Sequence, residues 1–285
     1  MKIVDSKKIT ELVSNLCIKA NINLRKDVLK ALKKARFHER TTRAKNILSI
    51  LIENANLAKK KKIPICQDTG LAIVFVEIGQ GIKIKGDLTD AINEGVKKGY
   101  EKAYLRNSVV SDPILRSKSK YNIPAVIHYD ITTNKRVKIS VMPKGFGSEN
   151  KSKIYMLLPT AQDDIIKVVL KAVTQAGPDA CPPFIVGIGI GGTLDKAVEL
   201  SKKALLLPIG FKHRDKHINM LSKDILMKIN LSKIGPLGMG GKTTALGVNI
   251  LTYPTHIAGL PVAVNISCHA LRSASGYLCL GTRHE

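Results

Sequence analysis

Apolar positions recur three and four residues apart near the start of the chain, at Ile9, Leu12, Val13, Leu16 and Cys17. That spacing predicts an amphipathic helix and puts Cys17 on its buried stripe as a small core residue. Leu24, Val28, Leu32 and Ala35 predict a second helix, and Ile47, Ile50, Leu51 and Leu57 a third. The pattern breaks at "IPICQDTG", between Pro64 and Gly70, and the apolar run 71–78 that follows predicts a buried strand. Asp87, with Asp90 three residues on, opens a helix whose apolar face carries Leu88, Ala91, Ile92, Val96 and Ala103. Residues 123–130 and 136–142 predict two strands of a hairpin around "ITTNK".

Beyond them the glycine-rich loop "PKGFGSEN" covers 143–150. A helix over 162–176 stops at Gly177-Pro178, and a strand over 184–190 leads into a helix over 194–206. A helix over 215–229, the loop "GPLGMGGKTTA" and apolar runs at 246–251 and 260–267 complete the order. This alternation predicts an α/β protein with mixed sheets flanked by helices and a helical N-terminal region. We read residues 1–270 as one intertwined unit and 271–285 as a tail with no predicted element.

Two glycine motifs invite nucleotide readings. In "GPLGMGGKTTA" a phosphate-binding loop needs a glycine at 236, where proline stands, so that reading fails on spacing. "GIGIGGT" has the GxGxxG spacing, but no acidic residue follows at 208–213, where a ribose partner belongs. The segment is better read as a tight strand–helix turn that lets two backbones approach closely, not as a true Rossmann fold.

Composition narrows the partners. The 285 residues carry 46 Lys and Arg against 22 Asp and Glu, a formal net charge of +24. Such an excess suits nucleic acid, an acidic protein subunit or anionic small substrates. Aromatic residues make up only 4% and tryptophan is absent, so a basic nucleic-acid-binding module would lack stacking platforms. No apolar run approaches the roughly 20 residues that span a bilayer. The N-terminus has no signal-peptide pattern, so the expected location is cytoplasmic.

Five cysteines without a secretory signal argue against a disulfide framework, and no CxxC pair marks a zinc knuckle. Cys66, Cys181 and Cys268 each stand at the margin of an apolar run beside residues that break regular structure. Thiols so placed suit either buried structural roles or three-thiolate ligation of a soft metal or iron–sulfur cluster. Gln67 and Asp68 would then sit at the metal. His256 is either a group titrating near neutrality or a loop histidine bonded to backbone. Arg106, where a helix gives way to a loop, is either a carboxylate clamp or a solvated helix-end cation.

The stretches "CQDTG", "GDLTDAINEGVKKGY", "LRNSVVSDP", "PKGFGSEN", "CPPFIVGIGIGGT", "GPLGMGGKTTALGVNI" and "YPTHIAGLPVAVNISCHA" run in one order over nearly the whole chain. Together they resemble the α subunit of class I fumarate hydratase and its relative, L(+)-tartrate dehydratase. The resemblance implies a hydro-lyase with a [4Fe–4S] cluster on Cys66, Cys181 and Cys268 and one open iron. It implies catalytic roles for Asp68 and His256, and substrate contacts at Gln67, Arg106, Gly145 and Gly147. It also implies a β subunit that supplies the remaining groups, in an α2β2 assembly acting on a dicarboxylate. Fumarate hydration is the reading, with tartrate dehydration the alternative. Phe146 replaces a family glycine, so any need for a positive φ is expected to fall on Gly145 and Gly147. Cys279 lies in the tail and is not expected to be a ligand.

Overall fold

A computed structural model describes residues 2–278. The chain divides into two compact units, each built from separate stretches: Met1–Arg25, Leu57–Gly145 and Arg272–Glu285 in the first, and Lys26–Asn56 and Phe146–Leu271 in the second.

In the first unit, β1 (Lys2–Asp5) leads into α1 (Ser6–Ile22), whose N-cap Asp5 side chain accepts from the Lys7 amide. β2 (Leu71–Gly79), β3 (Ile82–Lys85), α4 (Leu88–Lys102), β4 (Val126–Thr132), β5 (Val137–Lys144) and β10 (Ala274–Leu278) complete it. Asp87 caps α4 by accepting from the Asp90 amide, as its spacing predicts. Four strands form a mixed sheet in the order β10-β5-β2-β4, while β1 pairs in parallel with β3. α1 and α4 lie on one face of that sheet, burying Ile9, Val13, Cys17, Ile92 and Val96 against Val74, Val76 and Ile139.

The expected hairpin does not form. β2 lies between β4 and β5, parallel to the first and antiparallel to the second. The reason is hydrophobic: residues 72–76 are buried on both faces and take the centre of the sheet, which leaves the half-exposed β4 as an edge.

The second unit holds α2 (Lys26–His38), α5 (Phe146–Glu149), β6 (Lys153–Leu157), α6 (Asp164–Ala176), β7 (Phe184–Gly191), α7 (Leu194–Leu206), α8 (Lys216–Leu231), β8 (Ala245–Tyr253) and β9 (Leu260–Ser267). Its sheet runs β6-β9-β7-β8, with β7 parallel to β8 and antiparallel to β9. Both four-stranded sheets are therefore mixed, as the α/β reading expects. α3 (Thr42–Lys61) spans the division at Asn56. Its buried side is Ala44, Leu48, Leu51, Ala55 and Ala58, whereas Ile50 and Leu57 are exposed. Leu48 and Leu51 share the packed stripe there with three small alanines.

β7 is buried along its whole length. A Cβ on Gly189 would lie 2.0 Å from the Ala197 carbonyl oxygen, and one on Gly187 would lie 2.2 Å from that of Ser201. The "GIGIGG" glycines thus seat α7 directly on its strand, as the close-packed turn reading expects. Among the described residues, no helix is long and apolar enough to cross a membrane.

Candidate active site

The first unit holds Cys66, Gln67, Asp68, Arg106 and Gly145. Pro64 and Gly70 bound an irregular turn between α3 and β2, and buried polar groups pin it from several elements. The Ile65 amide donates to the Asn21 carbonyl of α1 (3.0 Å). Asn122 donates to the Gly70 carbonyl (3.1 Å). The Tyr100 hydroxyl of α4 lies 2.9 Å from the carbonyls of both Thr69 and Gly70. Burial holds the Tyr100 phenol well above its usual range, so it stays a donor. The Thr69 hydroxyl donates to the Arg106 carbonyl (3.1 Å), which ties the loop after α4 to the same turn.

Within that frame Cys66 is partly exposed, with its Sγ 3.4 Å from Gln67 Oε1. Asp68 Oδ1 accepts from the Gly70 amide (3.0 Å). Asp68 Oδ2 comes within 3.0 Å of the point where a Cβ on Gly145 would stand, so the carboxylate and this glycine belong to one arrangement. Gly145, Phe146 and Gly147 all lie outside the left-handed region, so the expected positive φ is not found. Close approach, not backbone conformation, is what Gly145 supplies. Arg106 carries an exposed guanidinium beyond the end of α4, where it can meet an anion in solvent.

The second unit holds Gly147, Cys181, His256 and Cys268. Cys181 follows a short 3₁₀ turn (Gly177–Ala180) and adopts the left-handed conformation, φ 53 and ψ 66. A non-glycine residue there costs on the order of 1–2 kcal/mol unless its surroundings fix it. They do: its carbonyl accepts from both the backbone amide (3.2 Å) and the ring Nδ1 (3.1 Å) of His269. A carbonyl can only accept, so Nδ1 carries the proton. His269 follows Cys268 directly, and this clamp joins the two cysteine turns. The next residue, Pro182, accepts from the Leu237 amide (2.8 Å) at the start of the "GPLGMGGKTTA" loop. The buried Glu39 carboxylate holds the far end of that loop through the Lys242 amide (2.8 Å). That loop therefore buttresses a cysteine turn. Gly147 approaches the same turn, since a Cβ there would lie 3.8 Å from the Asp179 carbonyl oxygen. His256 stands in the exposed loop after β8, its Nδ1 accepting from the Ala258 amide (3.1 Å). That is the loop-histidine arrangement.

Burial separates the cysteines. Cys17 is inaccessible, and burial pushes its thiol up to about 12. Cys66 and Cys268 are partly exposed and Cys181 is exposed; all four are thiols rather than disulfide halves. Cys279 lies outside the described residues. Among the described residues, no three His, Cys, Asp or Glu side chains are already grouped to hold a metal ion. The fit of a cluster is therefore judged thiol by thiol. Cys66, Cys181 and Cys268 are accessible, leave regular structure at anchored turns, and have the soft-donor chemistry that iron–sulfur clusters need.

Residues 10–276 match the family model described as fumarate hydratase (fumerase). The chain belongs to the fumarate hydratase family. Fumarate hydratase is a hydro-lyase, and membership places the chain among the lyases. A Methanocaldococcus jannaschii relative, whose name assigns it provisionally as L(+)-tartrate dehydratase subunit alpha, is 44% identical over 275 residues, covering 94% of this chain and 96% of its own. The L(+)-tartrate dehydratase subunit alpha of Escherichia coli K12 is 30% identical over 269 residues, covering 93% and 89%.

Sequence reasoning missed His269, Glu39, Tyr100, Asn122 and Arg272. His269 had a signal in its adjacency to Cys268. The others lie in ordinary helical or loop contexts, and only the fold brings them to the turns.

Proposed function

We propose that this chain is the cluster-binding α subunit of a two-subunit iron–sulfur hydro-lyase that hydrates fumarate reversibly to malate. The observation that carries the proposal is the pair of cysteine turns locked by His269, in a chain that matches the fumarate hydratase model almost end to end. Cys181 and Cys268 would hold a [4Fe–4S] cluster together with Cys66. Bound there, the cluster would supply a Lewis-acidic iron with a coordination site open to substrate oxygen.

The chain's own residues would do the rest of its share. Asp68, held by the Gly70 amide over Gly145, is the carboxylate poised for proton transfer or for orienting water. Gln67 would donate from its side-chain amide to a substrate oxygen. Arg106 would pair with a substrate carboxylate, for which its planar fork is suited. Gly147 would leave room beside the Cys181 turn. His256 would enter as a second proton-transfer group. A β subunit would supply the remaining cationic groups, so the α chain alone is incomplete, and α2β2 is the proposed assembly in the cytoplasm.

L(+)-tartrate dehydration is the second reading, favoured by the names of the two relatives. Both reactions remove or add water beside a carboxylate and need the same machinery. A substrate panel on the anaerobically reconstituted αβ complex separates them. Rapid fumarate hydration with little tartrate turnover supports the first reading; the reverse supports the second; activity on neither, with the cluster intact, rejects both.

A further inference from the structure

Arg272 lies four residues beyond Cys268, in a segment where the sequence pattern predicts no element. It is 3% exposed. β10, which starts two residues later and pairs with β5, brings it into the first unit. Its Nη1 donates to the backbone carbonyl of Asp68 and to Asn21 Oδ1 (3.3 Å). Its Nη2 comes within 3.1 Å of the point where a Cβ on Gly145 would stand, the same point that Asp68 Oδ2 approaches to 3.0 Å. The guanidinium and the carboxylate thus share the open face of one glycine. Its Nε is buried and has no hydrogen-bond partner. A buried donor left unused is costly, and methionine would fill much of this space without it. The guanidinium holds the Asp68 backbone through Nη1, and its Nη2 and the Asp68 carboxylate approach the same point beside Gly145.

We propose that Arg272 is a positioning residue of the hydro-lyase site. It holds the Cys66–Asp68 turn through the Asp68 carbonyl and, lying beside the side chain, fixes where the Asp68 carboxylate stands over Gly145. The inference rests on the reading of Asp68 as an active-site carboxylate.

The test uses the reconstituted αβ complex carrying Arg272→Met, Arg272→Lys or Arg25→Lys. The last is a control on the same segment, since Arg25 donates to Ser273 Oγ. Misplacing a reacting group by about 1 Å costs about a hundredfold, so Arg272→Met should lower kcat by about that factor. KM should stay within about twofold, with iron and sulfide at wild-type levels, because binding contacts elsewhere persist. Arg272→Lys should recover roughly a tenth of the wild-type kcat, and Arg25→Lys should match wild type. A wild-type kcat in Arg272→Met overturns the proposal. So does a rise in KM alone, or an activity loss that follows lost iron in proportion and is not relieved by lysine.

A second measurement does not depend on the reaction. In the metal-free α chain, Arg272→Met should speed alkylation of Cys66 severalfold while leaving Cys268 unchanged; equal Cys66 rates overturn the proposal. If wild type binds iron yet turns over neither fumarate nor tartrate, the hydro-lyase reading fails. The alkylation result still decides whether Arg272 holds the turn.

Discussion

Cys17 and Cys66 are both thiols of the first unit, yet their surroundings assign them opposite chemistry. Cys17 faces the α1–α4 core, where its thiol is held protonated up to about pH 12 against an ordinary value of 9.0. Its stabilising contribution is complete below pH 9.0. It is lost as pH rises toward 12, because the unfolded chain releases that proton first. Cys17→Ala should flatten the fall of stability over that interval, measured by urea unfolding at stepped pH. Tyr100 is the second test at this scale. Its hydroxyl serves two carbonyls of the buried Thr69–Gly70 backbone, and removing it takes that donor from Thr69 while Gly70 keeps Asn122. Tyr100→Phe should cost about 1–3 kcal/mol of unfolding free energy and loosen the Cys66 turn. Cys17 was legible as core because its role follows the local helical period. The adjacency of His269 to Cys268 was legible, but the bonds that His269 and Arg272 make were not. Their hydrogen bonds cross 88 and 204 residues of sequence, and no local pattern carries that information.

Where an element's hydrophobic signal was strong, its position could be read directly, as at α7 and β7. β3, β6 and β10 were invisible because they are short and partly or largely exposed. They owe their place to pairing with neighbours, not to their own burial. The 123–142 hairpin was misread for the related reason that period-2 alternation identifies strands but not partners. Partner choice fell to β2, whose apolar residues demand burial on both faces. The β7–α7 contact gives the test at this level. Gly189→Ala drives a methyl toward the Ala197 carbonyl at 2.0 Å. It should destabilise by about 1–3 kcal/mol or more by overpacking, read as a lower denaturation midpoint. Cys181 lies at the entry to β7, so the same variant should retain iron less firmly.

For the whole chain, the charge of +24 is far beyond what one dicarboxylate requires. A few local cations hold such a substrate, so most of the excess is better suited to steering an acidic partner surface. Association of the α chain with its β partner should therefore weaken as sodium chloride is raised, while KM for substrate in the assembled complex changes less; equal salt responses would assign the charge to substrate instead. Legibility at this scale was uneven. The order of motifs along the chain identified the family, because many spaced segments must agree at once. The division into two units was hidden, since each unit is assembled from separated stretches. The proposed function gives the cofactor to three accessible thiols and no part of it to Cys17. It is tested most directly by iron and sulfide analysis after anaerobic reconstitution of wild type, Cys66→Ser, Cys181→Ser, Cys268→Ser and Cys17→Ser. About four irons and four sulfides per chain are expected in wild type and Cys17→Ser, with a large loss in each of the other three. Background iron in wild type, or full iron in Cys181→Ser, would contradict it.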